Sequence, residues 1–386
     1  MQRTALFMGA IGLVASSAFA QQPSEQLRRF DRMIGNWEGS GEVFMGPGAE
    51  GMPWTSVSTT TRILGGHFLQ EDMRVDMGEG MPPMIWRTIF GWDSEHNRPL
   101  ILGVSNLGTS MAGNMYWQDE NTTITVSHGL EEGTPYAERS TTHWSDDGNH
   151  FVTERALGDG PFFVHVKGSM KKSEKSINAT DLENSVAFAE PNPNLRIFDK
   201  MMGTYQGKGE IVLTPGADRT ALDYEVSVNW MFGGMATIVH APATDVIPEF
   251  WGYSYWDVEN ENIRYFKVDS KGSYKIFQAL PTGDGKIVYS STYSVDGVLA
   301  TQRLIISLAD DGTIASVGVN VTLGANAPTE VMAARYELTG GAPAKTIQAS
   351  FKAGSCCDRA AKADKTCTHP CCIAAAKIGE VCSKCN

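Results

Sequence analysis

The feature that most constrains this chain is that it says nearly the same thing twice. The stretch "GNWEGSGEVFMGPGA", Gly35 to Ala49, returns as "GTYQGKGEIVLTPGA", Gly203 to Ala217. Leu27, Phe30, Gly35, Trp37, Gly39, Gly41, Pro47 and Gly48 meet Leu195, Phe198, Gly203, Tyr205, Gly207, Gly209, Pro215 and Gly216, each pair 168 positions apart. Gly65-Gly66 and Gly233-Gly234 keep that register. Further on, Trp92-Asp93 matches Trp256-Asp257 and Asp146-Asp147-Gly148 matches Asp310-Asp311-Gly312, now 164 apart. The chain is a tandem duplication whose copies differ by a net deletion of four residues. This divides it into a first domain over 24–172, a linker over 173–193, a second domain over 194–339, a flexible linker over 340–355 and a cysteine-rich tail over 356–386.

Each copy has the two-residue period of strands. In "WEGSGEVF", Trp37, Gly39, Gly41 and Val43 point one way and Glu38, Ser40 and Glu42 the other. Glycine weakens a strand, so two on one inward face imply a sharp bend or a close backbone approach. A short amphipathic helix precedes each such strand. Leu27, Phe30 and Ile34 share one face of the first; Leu195, Phe198 and Met202 share one face of the second. Ser24 and Asn192-Pro193 are fitting helix starts. The segments that follow, such as "TTITVSHG" and "KIVYSSTYS", are short strands between Gly, Asp and Asn turns. The pattern predicts a mainly β chain with two up-and-down antiparallel barrels, each plugged at one end by its helix. Trp37 and Tyr205 then close the barrel floor, and Gly39, Gly41, Gly207 and Gly209 let the first strand turn the corner.

The first twenty residues have the form of an export signal: Arg3, the apolar "ALFMGAIGLVA", and a small-x-small site at Ala18 to Ala20. This places the expected protein in the periplasm or outside the cell, with no membrane span after cleavage. The net charge of −12 argues against a nucleic-acid partner.

The first copy resembles the secreted bacterial family called domain of unknown function fifteen seventy-nine. The likeness rests on "GNWEGSGEVFMGPGA", "ILGGHFLQEDM", "FGWDSEHNRP" and "SNLGTSM". More distantly, the Gly-x-Trp strand after a short helix is similar to the calycin group of lipocalins and nitrobindins. The resemblance implies a lipocalin-like barrel and no established activity.

Candidate functional residues are few. Asp146-Asp147 and Asp310-Asp311 each precede glycine and read as turns. Met73, Met77, Met81 and Met84, with His67, are candidates for the mouth of a ligand cavity, since methionine is an adaptable apolar lining. His165 corresponds to the haem-ligating last-strand histidine that the nitrobindin resemblance implies. Its alternation with Lys167 and Ser169, however, predicts an outward, solvated ring. No catalytic motif is present. The expected function is a non-enzymatic binding protein with a small, mostly apolar ligand in a barrel cavity. The alternatives are a haem-binding or enzymatic barrel, and a metal-binding or redox protein acting through the tail.

All seven cysteines lie in that tail, where "CCDRAAKADKTC" repeats as "CCIAAAKIGEVC". Alanine and lysine between them favour two short helices. The spacing resembles disulfide-stapled twin cysteine-x-nine-cysteine hairpins, which implies Cys357–Cys382 and Cys367–Cys372 as the bridges. The alternative is metal: Cys356, Cys357, Cys367, His369, Cys371, Cys372, Cys382 and Cys385 form a soft donor set suited to Zn or Cu. Both readings stay open at this point, and no other cofactor is expected.

Overall fold

The computed structural model describes residues 25–78, 81–93, 97–131, 133–177, 192–213, 217–295 and 297–341, with Arg359. The expected export signal, and the tail cysteines and His369 with their disulfide and metal alternatives, lie outside the described residues.

Both copies are closed antiparallel barrels. Ten strands, β1 (Gly35–Val43) to β10 (Phe163–Lys172), form the first, and ten more, β11 (Gly203–Val212) to β20 (Thr329–Gly340), form the second. Each strand pairs with the next in sequence, and the last returns to the first: Gly41 stands opposite Gly168, and Gly209 opposite Ala334. Ten strands make a wider ring than the eight of a lipocalin, and the extra diameter leaves interior space.

The plugging helices are of the 3-10 type, Glu25–Met33 and Pro193–Met201. A turn of three residues stacks positions three apart. The buried face is therefore Leu27, Phe30 and Met33, with Met33 taking the place expected of Ile34. In the second copy it is Leu195, Phe198 and Met201; the expected Met202 is buried just beyond the helix end. The Asn192 side chain caps the second helix, accepting from the Asn194 N–H at 2.9 Å, with Pro193 at the first turn.

The floor residues latch onto these helices in the same way in both copies. The Trp37 indole donates to the Met33 carbonyl at 2.7 Å, and the Tyr205 hydroxyl donates to the Met201 carbonyl at 3.0 Å. The donor changes chemically while the bond is kept. Trp37→Phe and Tyr205→Phe, which strand a buried carbonyl, should each lower stability by about 1–2 kcal/mol in urea denaturation. Unchanged midpoints would show that the latch contributes nothing.

The two barrels share one apolar cluster, and its members come in repeat-related pairs. Leu64 with Phe232, and Phe68 with Ala236, are 168 apart; Ile89 with Tyr253, Leu102 with Phe266, and Val104 with Val268 are 164 apart. Two reciprocal contacts follow the same rule. The Met235 Cε lies 2.4 Å from where a Cβ on Gly108 would stand, and the His67 Nδ1 lies 2.9 Å from the same point on Gly272. His67 and Met235 are equivalent, as are Gly108 and Gly272. The same surface of each copy thus meets the other, the arrangement of a two-fold homodimer carried within one chain.

Candidate ligand cavities

Each barrel encloses a cavity, and the two have diverged in chemistry. The first holds ≈ 350 Å³, bordered on one side by Trp37, Met73, Trp86, Met115 and Met170. Its other side is polar. On β2 (Met52–Ile63) the inward residues are Trp54, Ser56, Ser58 and Thr60, all buried. The Ser56 and Thr60 hydroxyls have no hydrogen-bond partner among the described residues. Their equivalents in the second copy are Leu222, Tyr224, Val226 and Val228.

Glu71, on β3 (Phe68–Asp76), projects into this first cavity between Leu69 and Met73 on the inward face. Among the described residues no base forms an ion pair with it. The enclosing barrel wall strips water from its carboxyl and pushes its pKa up to about 7; the Ser58 hydroxyl beside it opposes that rise and the nearby Asp72 adds to it.

A second carboxylate, Glu138 on β8 (Thr134–Trp144), also lines the cavity. It stands opposite Arg155 on β9 (Gly148–Leu157), whose Nε and Nη2 reach one carboxylate oxygen at 2.8 and 2.7 Å. This pair is neutralised, whereas Glu71 is not.

The second cavity holds ≈ 150 Å³ and is walled by Tyr224, Val226, Tyr265, Phe277 and other apolar side chains. Burial pushes the Tyr265 and Tyr289 hydroxyls to higher pKa. Its charged groups are Lys267 and Asp269 on β15 (Asn262–Asp269) and Lys275 on β16 (Tyr274–Thr282). At the positions of Val239 and Gln302 the first copy has Glu71 and Glu138; at those of Lys267 and Lys275 it has Gly103 and Met111. One interior is therefore acidic and the other basic.

Residues 22–175 match a family described as "Protein of unknown function (DUF1579)". The match spans the first barrel. No curated protein matches the chain. Among solved structures, the chain is similar to Rv2717c from M. tuberculosis, at 10% identity and a TM-score of 0.32, covering 40% of this chain and 100% of that one. It is similar to the S-type phycobiliprotein lyase CPES from Guillardia theta, at 11% identity and a TM-score of 0.28, covering 38% and 92%. A protein of unknown function from the DUF3598 family of Nostoc punctiforme aligns at 11% identity and a TM-score of 0.27, covering 81% and 100%.

Within the first barrel the sequence candidates fall in different places. Met73 lines the cavity. Met77 and Met84 pack with Val43, Trp54 and Val75, while Met81 is exposed. His67 is not with the methionines: it faces Gly272 across the contact between the barrels. Trp37 lines the cavity floor, and Gly39 and Gly41 lie under Trp54.

His165 corrects the alternation argument. A β-bulge between Val164 and Val166 inserts one residue, so the ring turns inward and its side chain is only 14% exposed. Nδ1 lies 2.9 Å from the Phe44 carbonyl oxygen and Nε2 lies 3.9 Å from the Glu138 carboxylate. An iron would have to compete with Glu138 for Nε2. Among the described residues, no group of three or more His, Cys, Asp or Glu could hold a metal ion. No helix among the described residues is long and apolar enough to cross a membrane.

Proposed function

We propose that this is an exported, non-enzymatic binding protein whose first barrel takes a small amphipathic ligand. The apolar body of the ligand rests against the tryptophan and methionine side. A cationic or hydrogen-bond-donating group of the ligand faces Glu71. The observation that carries this reading is the Glu71 carboxyl in a ≈ 350 Å³ cavity with no base paired to it. A carboxylate taken from water without a partner is costly, so a ligand that supplies the missing partner gains the energy that folding gave up. The aromatic rings beside it, Trp37, Trp86 and Trp144, suit a cation as well. The ligand is more polar than the composition of the chain alone suggests, because Thr60, Ser127 and Ser140 line the same cavity and the Thr60 hydroxyl has no hydrogen-bond partner among the described residues.

Native mass spectrometry of the protein purified from its own host tests this. The expected result is a retained organic mass that is lost in Glu71→Gln. A wild-type protein with no bound mass, or a mass that Glu71→Gln retains in full, overturns the assignment.

A further inference from the structure

Glu71 does not stand alone on the wall of the first barrel. In the pairing of β2 with β3, and of β3 with β4 (Met84–Asp93), it lies directly opposite Thr60 on one side and Thr88 on the other. All three line the first cavity. Both threonines are buried, and the Thr60 hydroxyl has no hydrogen-bond partner among the described residues. Gly103 is the next residue of the row. The Thr88 Oγ1 lies 3.5 Å from where a Cβ on Gly103 would stand, so it faces the space that this glycine leaves open. The fold does not require such a row. Its equivalent in the second barrel is Val228, Val239 and Gly252, paired in the same order.

The chemistry of the row selects one kind of cation. A primary ammonium carries three N–H donors and no acceptor, while a threonine hydroxyl offers lone pairs beside its own proton. Opposed side chains on neighbouring strands stand about 4.5–5.5 Å apart. Two N–H groups leaving one nitrogen at the tetrahedral angle reach oxygens about 4.6 Å apart when each N···O distance is about 2.8 Å. The spacing of Glu71 and Thr60 across the β2–β3 pair matches that need. A quaternary ammonium has no donor, and its sites are cages of aromatic rings. Here hydroxyls are the immediate neighbours of the carboxylate. The aromatic wall begins one row further on, where Met73 stands opposite Trp86. Glu138, also a carboxylate of this cavity, is already held by Arg155.

We propose that the ligand of the first barrel is a primary amine with an apolar body. Its ammonium donates to the Glu71 carboxylate and to the Thr60 hydroxyl, and its body lies against Met73 and Trp86. This rests on the receptor role of Glu71 proposed above and adds the class of cation, which Thr60 selects.

2-Phenylethylamine, its N,N,N-trimethyl derivative and 2-phenylethanol separate donor, charge and body. Isothermal titration of the ligand-free full chain at pH 8, where Glu71 is ionised, makes the comparison. The primary amine should bind about tenfold more tightly than the trimethyl derivative, and both more tightly than the alcohol. Thr60→Val introduces the residue found at the equivalent Val228. It should lower the affinity for the primary amine about fivefold and leave that for the trimethyl derivative unchanged. Thr60→Ser should keep the wild-type preference. A thermal melt beside each titration reports folding, and the wild-type comparison needs no variant. If the trimethyl derivative binds as tightly as the primary amine, or Thr60→Val keeps the full preference, the primary-amine assignment is overturned while Glu71 stands as a receptor for cations. If neither cation binds more tightly than the alcohol, or none of the three binds at millimolar concentration, the reading of Glu71 fails and this proposal with it.

Discussion

Gly209→Ala should cost about 4 kcal/mol and open the second barrel. A Cβ at Gly209 would stand 2.0 Å from the Ala333 carbonyl oxygen and 2.6 Å from the Ala334 Cα. The repeat-equivalent Gly41 meets the same obstacle, 2.0 Å from the Lys167 carbonyl oxygen and 2.7 Å from the Gly168 Cα. The obstacles are backbone on the neighbouring strand, which cannot swing aside as a side-chain tip can. Relief requires β11 to leave β20, or β1 to leave β10, and those pairings close the rings. Overpacking a core costs about 1–3 kcal/mol, and the lost ladder bonds and exposed strand edges add to that. Gly46→Ala is the control: nothing lies within 4 Å of its Cβ position, so its cost should stay within about 0.5 kcal/mol. Calorimetry of Gly41→Ala and Gly209→Ala should show large losses in melting temperature, and melts equal to that of Gly46→Ala would sink the argument.

The glycines show how far the sequence carries. Their recurrence at one spacing identifies both copies and the strand they lie on. Whether they serve a bend or a close approach is left open by pattern alone, and the distances across the seam show the close approach. The barrels are legible because two-residue alternation and turn glycines recur through each copy. The plug is legible as a helix, but its three-residue period is not, which is why Met33 replaces Ile34. His165 escapes the alternation rule because a bulge adds a residue without leaving a mark in the sequence. Glu71 escapes it for another reason. In "LQEDMRVD" it sits among acidic neighbours, and only the inward set of Leu69, Glu71 and Met73 separates it from Asp72.

The contact between the barrels did leave a trace. In β5 (Arg98–Ser105) the run "PLILGV" is apolar at both odd and even positions, and every residue of it is buried. A strand covered on one face alternates, whereas one covered on both faces does not. Ile101 packs inward with Leu27 and Phe30, while Leu102 and Val104 pack outward against the second barrel. The ligand chemistry left less to read. Acidic and basic interiors emerge only once each charged side chain is assigned to a face, and single-residue exchanges such as Gly103 against Lys267 carry the whole difference.

Glu71→Gln should stabilise the protein at pH 8 by about 3 kcal/mol and leave it nearly unchanged at pH 4. The carboxyl has a pKa raised from 4.5 to about 7, with loss of water as the largest cause. Below pH 4.5 the group is protonated whether the chain is folded or not, so it makes no difference to stability. Between 4.5 and 7 the unfolded chain has released the proton that the folded barrel still holds, and stability falls as pH rises. Above 7 both states are ionised and the full penalty of a carboxylate without a base is present, about 3 kcal/mol for a rise of this size. Glutamine keeps the shape and has no charge to desolvate. Lys267 and Asp269 also titrate in this protein, but they are common to both variants and cancel in the difference. Thermal melts of the two proteins, freed of ligand, at pH 4 and pH 8 give the measurement. A gap that opens with rising pH supports a carboxyl held in the barrel without a counter-ion, kept at a cost to stability that binding recovers. A gap of the same size at both pH values would show that Glu71 is already compensated, and the case for the first cavity as a receptor for a cationic or donor group would fall with it.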